Sequence, residues 1–182
     1  MNIVIISGSP REKSITRRVA IYLERLFREK TKHDIHFIDV SKWNLPLLQN
    51  VFKSVETTPE QFKPLAEKMF DADAFVLVTP EYNGSYSPAM QNLLDHFPKQ
   101  MHKAFGIVTA STGAMGGMRA SQQLLLLVCA LFGVPCPNML IVGGVDKRFS
   151  EDGELLDEGF SNSIHTFLNE FLWLAETLAR DK

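Results

Sequence analysis

The sequence predicts an α/β fold: a doubly wound parallel sheet of five strands in the order 2-1-3-4-5, with helices on both faces. Short apolar runs alternate with longer segments of helical period, which is the pattern of successive βαβ units. The runs are continuously apolar, as in Val4-Ile5-Ile6 and Phe75-Val76-Leu77-Val78, and this indicates strands that are buried on both faces.

Each predicted strand is an apolar run bounded by turn residues, and each predicted helix carries apolar residues at helical spacing. The strands are predicted over residues 2–7, 35–40, 74–79, 104–110 and 138–142. The helices are predicted over residues 15–29, 59–71, 87–97, 117–132 and 159–180. Ser14 is the candidate N-cap of the first helix. Residues 41–59 have no clean period, so we expect a long excursion before the second helix.

Length and composition predict one globular domain over residues 1–182. Hydrophobic residues make up 45% and charged residues 22% of the chain, and the net charge of -2 favours neither a nucleic-acid partner nor a membrane surface. The sequence has neither a signal peptide nor an apolar run near the ~20 residues that span a bilayer, so we expect a cytoplasmic protein. Cys129 and Cys136 lack C-x-x-C spacing and are predicted to be reduced core residues.

The loop after the first strand has the chemistry of a phosphate site. It opens a helix, where unpaired N–H groups and the positive end of the helix dipole attract an anion. It also supplies three hydroxyls and two guanidiniums, those of Ser9, Ser14, Thr16, Arg11 and Arg17. Because neither a P-loop nor a G-x-G-x-x-G pattern is present, a monophosphate is the expected ligand. By itself, the loop is equally consistent with a capped helix start whose charges are solvated.

Two further loops are predicted on the same edge of the sheet. Residues 79–88 contain Asn83-Gly84 and two tyrosines, which can present N–H groups and a ring to a flat heterocycle. Residues 111–119 contain three glycines, which permit close approach of backbone to a ligand. Taken separately, the first is a turn and the second a flexible connector. Because strands one, three and four are neighbours in the predicted order, the three loops meet at the switch point, where ligands bind.

Five short segments, spread through most of the chain, carry a resemblance to a known family. They are Gly8-Ser9-x-Arg11-x-x-Ser14, Leu45-Pro46-Leu47, Pro80-Glu81-Tyr82-Asn83-Gly84-Ser85, Ser111-x-Gly113-x-x-Gly116-Gly117-x-Arg119-Ala120 and Phe149-Ser150-Glu151-Asp152-Gly153. In these segments the chain resembles the NADPH-dependent FMN reductase family, a flavodoxin-like group that includes chromate, quinone and azo reductases. The Pro-Glu-Tyr-Asn-Gly-Ser segment is the most specific of the five.

The resemblance implies a flavodoxin-like fold with an FMN site, NADPH or NADH as electron donor, and a small-molecule electron acceptor. The phosphate contacts that it implies are Ser9, Arg11, Ser14 and Thr16. The ring is expected to be lined by Pro80, Glu81, Tyr82 and Asn83, and closed on its other side by Ser111 and Gly113. The predicted site includes the neighbouring residues Ile15, Gly84 and Thr112.

The resemblance also implies homodimers or homotetramers with flavin sites near the subunit interface. No catalytic acid or base is predicted, because hydride transfer to a flavin needs no protein nucleophile. No metal is predicted, because His33 and His36 lie three residues apart beside a strand without further ligands. Two positions depart from the family pattern. Many members have a lysine where this chain has Gln91, which bears on the charge near the pocket or interface. An asparagine often follows the phosphate-loop serine, where this chain has Ile15-Thr16, which bears on Thr16 as a phosphate contact.

Two other functions share the predicted fold and cofactor. An electron-carrier flavodoxin is expected to carry a strongly acidic docking surface, and the net charge of -2 argues against it. An FMN-binding interaction protein, whose flavin is structural or regulatory, is compatible with the same residues. Hydrolysis is disfavoured because the sequence has no G-x-S-x-G elbow.

Overall fold

The computed structural model describes residues 1–179, and these form a six-stranded parallel sheet. The strands are β1 (Asn2–Ser7), β2 (Asp34–Asp39), β3 (Ala74–Thr79), β4 (Ala104–Ser111), β5 (Val134–Pro135) and β6 (Leu140–Gly143). The strand order is β2-β1-β3-β4, and β5 and β6 both pair with the far side of β4. The predicted fold class and the order 2-1-3-4-5 are therefore confirmed.

Helices cover both faces of the sheet. They are α1 (Thr16–Lys30), α2 (Lys63–Asp71), α3 (Pro88–Asp95), α4 (Met118–Ala130), α5 (Val145–Arg148) and α6 (Ser161–Ala179). Short 3-10 turns occupy Val40–Lys42, Glu60–Phe62 and Glu158–Phe160. All five predicted helices are present, although Arg180, the predicted end of the last one, lies outside the described residues. None of the helices described is long and apolar enough to cross a membrane.

The alternation of side chains along the strands divides the core into two layers. On β1, Ile3 and Ile5 belong to the layer under α1 and α6, whereas Val4 and Ile6 belong to the layer under α2, α3 and α4. Every residue of β3, at the centre of the sheet, is buried. This burial on both faces explains why the strands have continuously apolar sequences.

The fifth strand differs from its prediction over residues 138–142. Two short strands occupy this edge, and β5 pairs with Ala104 and Phe105 while β6 pairs with the carboxyl half of β4. Pro135 and Pro137 carry no N–H group and cannot donate to a ladder, so the pairing is interrupted between the two pieces. Proline is tolerated at this position because the strand lies at the edge of the described sheet.

The two cysteines lie in different environments. Cys136 is fully buried, as predicted, and burial raises the pKa of its thiol. Cys129 lies on the exposed face of α4, so its prediction as a core residue is wrong. The apolar period of α4 places Leu124 and Val128 against the sheet and turns the next position outward.

Candidate functional site

A cleft of about 260 Å³ opens at the carboxyl edge of the sheet, where the loops after β1, β3 and β4 meet. This is the switch point of the strand order, the place where doubly wound sheets bind ligands. Every residue of the predicted FMN site lines the cleft except Asn83, Gly84 and Gly113. The fold therefore brings together residues that are up to about a hundred positions apart in the chain.

The start of α1 presents backbone N–H groups to this cleft. Among residues 1–179, no acceptor is found for the N–H groups of Ile15 and Thr16, which lie in the first turn of the helix. Ile15 already has helical backbone angles, and the Ser14 hydroxyl accepts a hydrogen bond from the N–H of Arg17 at 3.2 Å. Ser14 thus caps the helix. The first turn contains no acidic residue, so no negative charge there opposes a phosphate.

Two buried hydroxyls stabilise the loop that carries these N–H groups. Thr16 Oγ1 donates to the carbonyl oxygen of Ala110 at 3.4 Å and joins the start of α1 to the end of β4. Ser9 Oγ accepts from the N–H of Arg11 at 3.4 Å. The Thr16 hydroxyl is therefore engaged within the protein, and its backbone N–H is the group that it offers to a ligand.

The two arginines of the phosphate loop have separate roles. The Arg11 guanidinium lies 5.1 Å from the centre of the Tyr82 ring, both residues line the cleft, and Arg11 has no carboxylate partner among the described residues. The Arg17 side chain instead donates to Asp39 Oδ2 at 2.7 Å, at the end of β2. Arg17 is therefore held outside the cleft, and only Arg11 remains as the cationic phosphate contact predicted from the sequence.

Hydrogen bonds tie the loop after β1 to the loop after β3. The Ser87 hydroxyl donates to the carbonyl oxygen of Gly8 and also accepts from the N–H of Met90 at 3.0 Å, which caps α3. A Cβ added at Gly8 would lie 2.4 Å from Met90 Cε and 3.1 Å from the carbonyl oxygen of Val78. A side chain at Gly8 would therefore displace the terminal methyl group of Met90 on α3 and crowd the backbone of β3.

Residues 82–85 form a two-residue hairpin. The N–H of Tyr82 donates to Ser85 O at 2.8 Å, and the N–H of Ser85 donates to Tyr82 O at 3.1 Å. Asn83 and Gly84 form its tip with φ values of 51° and 83°, the conformation that favours Asn-Gly in such turns. The hairpin places the Tyr82 ring on the cleft wall and its tip outside that wall, so FMN contacts from Asn83 and Gly84 stay a prediction.

The loop after β4 folds back upon β6. The carbonyl oxygen of Gly113 accepts from Ser111 Oγ at 3.2 Å, from the N–H of Gly116 at 3.1 Å and from the N–H of Gly144 at 3.3 Å. Gly113 therefore holds the loop in shape and lies outside the cleft wall, which is formed here by Ser111 and Thr112.

The family model described as NADPH-dependent FMN reductase matches residues 1–146, which is most of the chain. The chain belongs to this family. It is 31% identical over 180 residues to the FMN-dependent NADPH-azoreductase of Staphylococcus aureus strain USA300, with 93% of this chain and 92% of that protein covered. The predicted resemblance to the FMN reductase family is confirmed.

Solved structures of flavoenzymes share the fold. The flavoenzyme NAD(P)H:(acceptor) oxidoreductase FerB of Paracoccus denitrificans superposes with a TM-score of 0.79 at 20% identity, with 97% of each chain covered. The apo form of the NADH:FMN oxidoreductase EMOB superposes with a TM-score of 0.70 at 18% identity, with 97% of this chain and 89% of that chain covered. These two similar structures support a flavodoxin-like architecture for this chain.

The residues of the cleft fit the cofactor of the FMN reductase family. A phosphate monoester carries up to two negative charges, and the cleft offers it unpaired N–H groups at Ile15 and Thr16 together with the Arg11 guanidinium. The carboxylate of Glu81 also lines the cleft, but it is paired with Arg119 at 3.3 Å. The cleft therefore has cationic and N–H donors where a phosphate would bind and no unpaired carboxylate among its described lining residues.

Three lining residues were not predicted: Lys13, Ala110 and Val145. Lys13 lies within the phosphate loop, and its charge was the one available signal. Ala110 and Val145 carry no chemical signal, because an alanine at a strand end and a valine after a glycine pair are ordinary core residues. The packing of α5 against β4 places these two residues side by side at the cleft.

Gln91, one of the two departures from the FMN reductase pattern, lies on α3 and hydrogen-bonds to a polar side chain on either side of it in the sequence. The Tyr86 hydroxyl donates to Gln91 Oε1, and Gln91 Nε2 donates to Asp95 Oδ1 at 2.6 Å. Burial, and to a lesser extent the charge of Asp95, raises the pKa of Tyr86. Gln91 thus connects a neutral phenol to a carboxylate, with an amide where many family members carry a positive charge.

Proposed function

We infer that this chain is an FMN-dependent NAD(P)H oxidoreductase that reduces a small electrophilic acceptor. The observation that carries this conclusion is the cleft at the switch point, where unpaired N–H groups at the start of α1 and the Arg11 guanidinium face the Tyr82 wall. A phosphate at one end and a flat ring at the other match these two ends of the cleft.

The phosphate end is built from the loop after β1. We propose that the N–H groups of Ile15 and Thr16 and the guanidinium of Arg11 hold the phosphate, with the Ser9 and Ser14 hydroxyls beside them. Charge-assisted hydrogen bonds of this kind are about twice as strong as neutral ones. The rest of the loop is already positioned by Thr16 and Ser87, so little backbone ordering remains to be done on binding.

The ring end is built from the loops after β3 and β4. FMN, when bound, supplies the capacity to take two electrons from NAD(P)H and to pass them to an acceptor. Negative charge on a reduced ring is stabilised by N–H donors that are already in place. The N–H of Tyr82 is engaged by Ser85, so within residues 81–83 the N–H groups without an acceptor among the described residues are those of Glu81 and Asn83. Pro80 and Tyr82 supply an apolar wall, and Ser111 and Thr112 face them.

The physiological acceptor belongs to a class that a shallow cleft can admit: a quinone, an azo compound, chromate or free flavin. The azoreductase relative supports azo compounds as the first acceptor to test. A homodimeric or homotetrameric assembly and a cytoplasmic location stay predictions from the sequence. Sedimentation of the FMN-loaded protein measures the assembly directly.

Reconstitution with FMN tests the proposed function. The purified protein is expected to bind FMN in near-equal amounts, to turn yellow, and to lose its absorbance near the flavin maximum when NADPH is added without oxygen. Addition of an azo dye then restores the flavin colour and consumes the dye. A protein that binds FMN but is bleached by neither NADPH nor NADH would support the electron-carrier or flavin-binding alternatives. A protein that ignores FMN would refute the proposal.

A further inference from the structure

A second cavity, of about 420 Å³, lies next to the FMN cleft. Its walls are the segment after β2, one side of α3, and Pro10 of the phosphate loop. The two neighbours of Pro10, Ser9 and Arg11, line the FMN cleft. One tripeptide therefore separates the two cavities, at the phosphate end of the cleft.

The lining of this second cavity combines an aromatic ring with a positive charge. Trp43 is partly buried and packs against the core, and Lys42 beside it is exposed. Among the described residues that line the cavity, the only charged side chain is that of Lys42, and no ion pair is found for it within residues 1–179. Ser41 and Asn44 add polar groups to the same wall.

The acidic side chain that precedes this segment is already paired with an arginine. Asp39, at the end of β2, accepts hydrogen bonds from Ser41 and from Arg17, the latter at 2.7 Å. It is also 7% exposed and does not line the cavity. A ligand in the cavity therefore faces the Lys42 charge without a competing carboxylate.

The wall of the cavity is anchored to α3. Asn92 Nδ2 donates to the carbonyl oxygen of Pro46 at 2.9 Å, and the N–H of Phe52 donates to the carbonyl oxygen of His96 at 2.8 Å. The excursion between β2 and α2 is thus held against the helix at two points. Lys42 and Trp43 belong to this segment, so these hydrogen bonds also restrict the backbone that carries them.

We propose that this cavity binds the adenosine 2′-phosphate half of NADPH, with Trp43 against the adenine and Lys42 on the phosphate. The inference rests on the proposed function. Any nucleotide base can stack on the face of an indole ring. A phosphate monoester is the strongest anion that a nucleotide offers to a lysine. The small acceptor is not a candidate for this cavity, because it must reach the ring at the other end of the cleft. A dinucleotide, by contrast, has a second nucleotide that is remote from its reacting ring and needs a separate subsite.

The binding test uses FMN-loaded protein and two nucleotide probes, adenosine 2′,5′-bisphosphate and adenosine 5′-monophosphate. The chain has two tryptophans, so Trp173→Phe, on the exposed face of α6, leaves Trp43 as the only indole. Saturable quenching of Trp43 fluorescence is expected with both probes, and the bisphosphate is expected to bind about fivefold more tightly, the upper range for an exposed ion pair. Absence of a saturable change with either probe would overturn the proposal.

Two further variants assign the roles of the side chains. Lys42→Ala is expected to remove the preference for the 2′-phosphate and to raise the ratio of the KM for NADPH to the KM for NADH about fivefold. Lys53→Ala is the matched control, because Lys53 is an exposed lysine on the same excursion that does not line the cavity. Trp43→Ala is expected to weaken the binding of both probes roughly tenfold, whereas Trp43→Phe is expected to retain most of the affinity. A preference that survives Lys42→Ala would refute the phosphate assignment.

The failure of this proposal is distinguishable from the failure of the proposed function. Probe binding is measured by fluorescence and requires no electron transfer. If NADPH and NADH both bleach the flavin but neither probe binds, the cavity assignment is wrong and the reductase assignment stands. If the probes bind with the expected preference but neither donor bleaches the flavin, the reductase assignment is wrong and the nucleotide subsite stands.

Discussion

The carboxylate of Glu81 accepts two hydrogen bonds from Arg119, one from its backbone N–H at 3.1 Å and one from Nη1 at 3.3 Å. Arg119 lies in the first turn of α4, where an acidic group satisfies a free N–H and complements the helix dipole. This single side chain therefore joins the loop after β3 to the loop after β4, the two loops proposed to lie on either side of the flavin ring.

Replacing Glu81 should loosen both loops. Glu81→Ala is expected to lower the free energy of unfolding by about 1 kcal/mol, the usual cost of losing a helix cap, and the melting temperature by roughly 2–4 °C. Arg119→Ala is the matched control. It keeps the backbone N–H and removes a guanidinium that is 70% exposed, so it should cost clearly less. Equal losses in the two variants, measured by thermal unfolding, would contradict the capping role.

Arg11 should contribute directly to cofactor affinity. Arg11→Ala is expected to weaken FMN binding by about 1.5–3 kcal/mol, or roughly tenfold to a hundredfold, because a hydrogen bond to a charged phosphate is lost. Arg17→Ala offers a neighbouring control, since Arg17 is paired with Asp39 outside the cleft. Titration of apoprotein with FMN measures both dissociation constants. The assignment fails if Arg11→Ala and Arg17→Ala bind FMN equally well.

Asn83 should be needed for the shape of its turn. Its φ of 51° lies in the left-handed region, where a β-branched side chain is strained. Asn83→Val is expected to cost roughly 1–2 kcal/mol of stability and to weaken FMN binding through the displaced hairpin. Asn83→Gly, which adopts the same φ freely, should stay within about 0.5 kcal/mol of the parent. Urea unfolding and FMN titration of both variants test this; similar losses in both would place the importance of Asn83 in its side-chain amide.

Substitution by alanine should have very different effects on stability at two glycines of similar φ. A Cβ at Gly116 would lie 2.7 Å from Gly143 N and 2.8 Å from Val142 C, whereas a Cβ at Gly144 meets nothing within 4 Å. Gly144→Ala is expected to cost about 1 kcal/mol for its φ of 59° alone. Gly116→Ala adds a backbone collision and should cost roughly 3 kcal/mol. Denaturant unfolding compares the two, and indistinguishable midpoints would show that the loop after β4 moves freely away from β6.

Tyr86 should make the protein sensitive to alkaline pH. Burial and Asp95 raise its pKa above the ordinary value of 10.0, so the folded state holds the phenol proton more tightly than the unfolded state does. The corresponding stability is fully present below about pH 10 and is lost as the pH rises through the folded pKa. Tyr86→Phe removes this dependence. We expect the variant to lose less stability than the parent between about pH 9 and pH 11 in urea unfolding; equal losses would contradict the prediction.

Local patterns were sufficient for the first four strands, the helices and the place where the loops meet, but not for the fifth strand, which is divided into β5 and β6. The continuous apolar run of β3 predicted its burial, and Asn83-Gly84 predicted a turn whose backbone has the expected positive φ values. These features depend on neighbouring residues, so they can be identified from the sequence without knowledge of distant contacts. The strand order then followed from the general rule for doubly wound sheets.

The partners of the charged and polar side chains were decided by the tertiary structure. The sequence placed Arg11 and Arg17 in one phosphate loop, yet Arg17 pairs with Asp39 while Arg11 faces the cleft. The sequence likewise offered no reason to join Glu81 to Arg119.

Pairing between side chains depends on distances set when β1, β2, β3 and β4 are aligned, and no local periodicity encodes those distances. The sequence by itself thus determined the family, the first four strands of the sheet with their order, and the three loops of the cleft. Only the folded chain decided which charges remain available to a ligand, because a charge near several possible partners forms the pair that the packed geometry brings within reach.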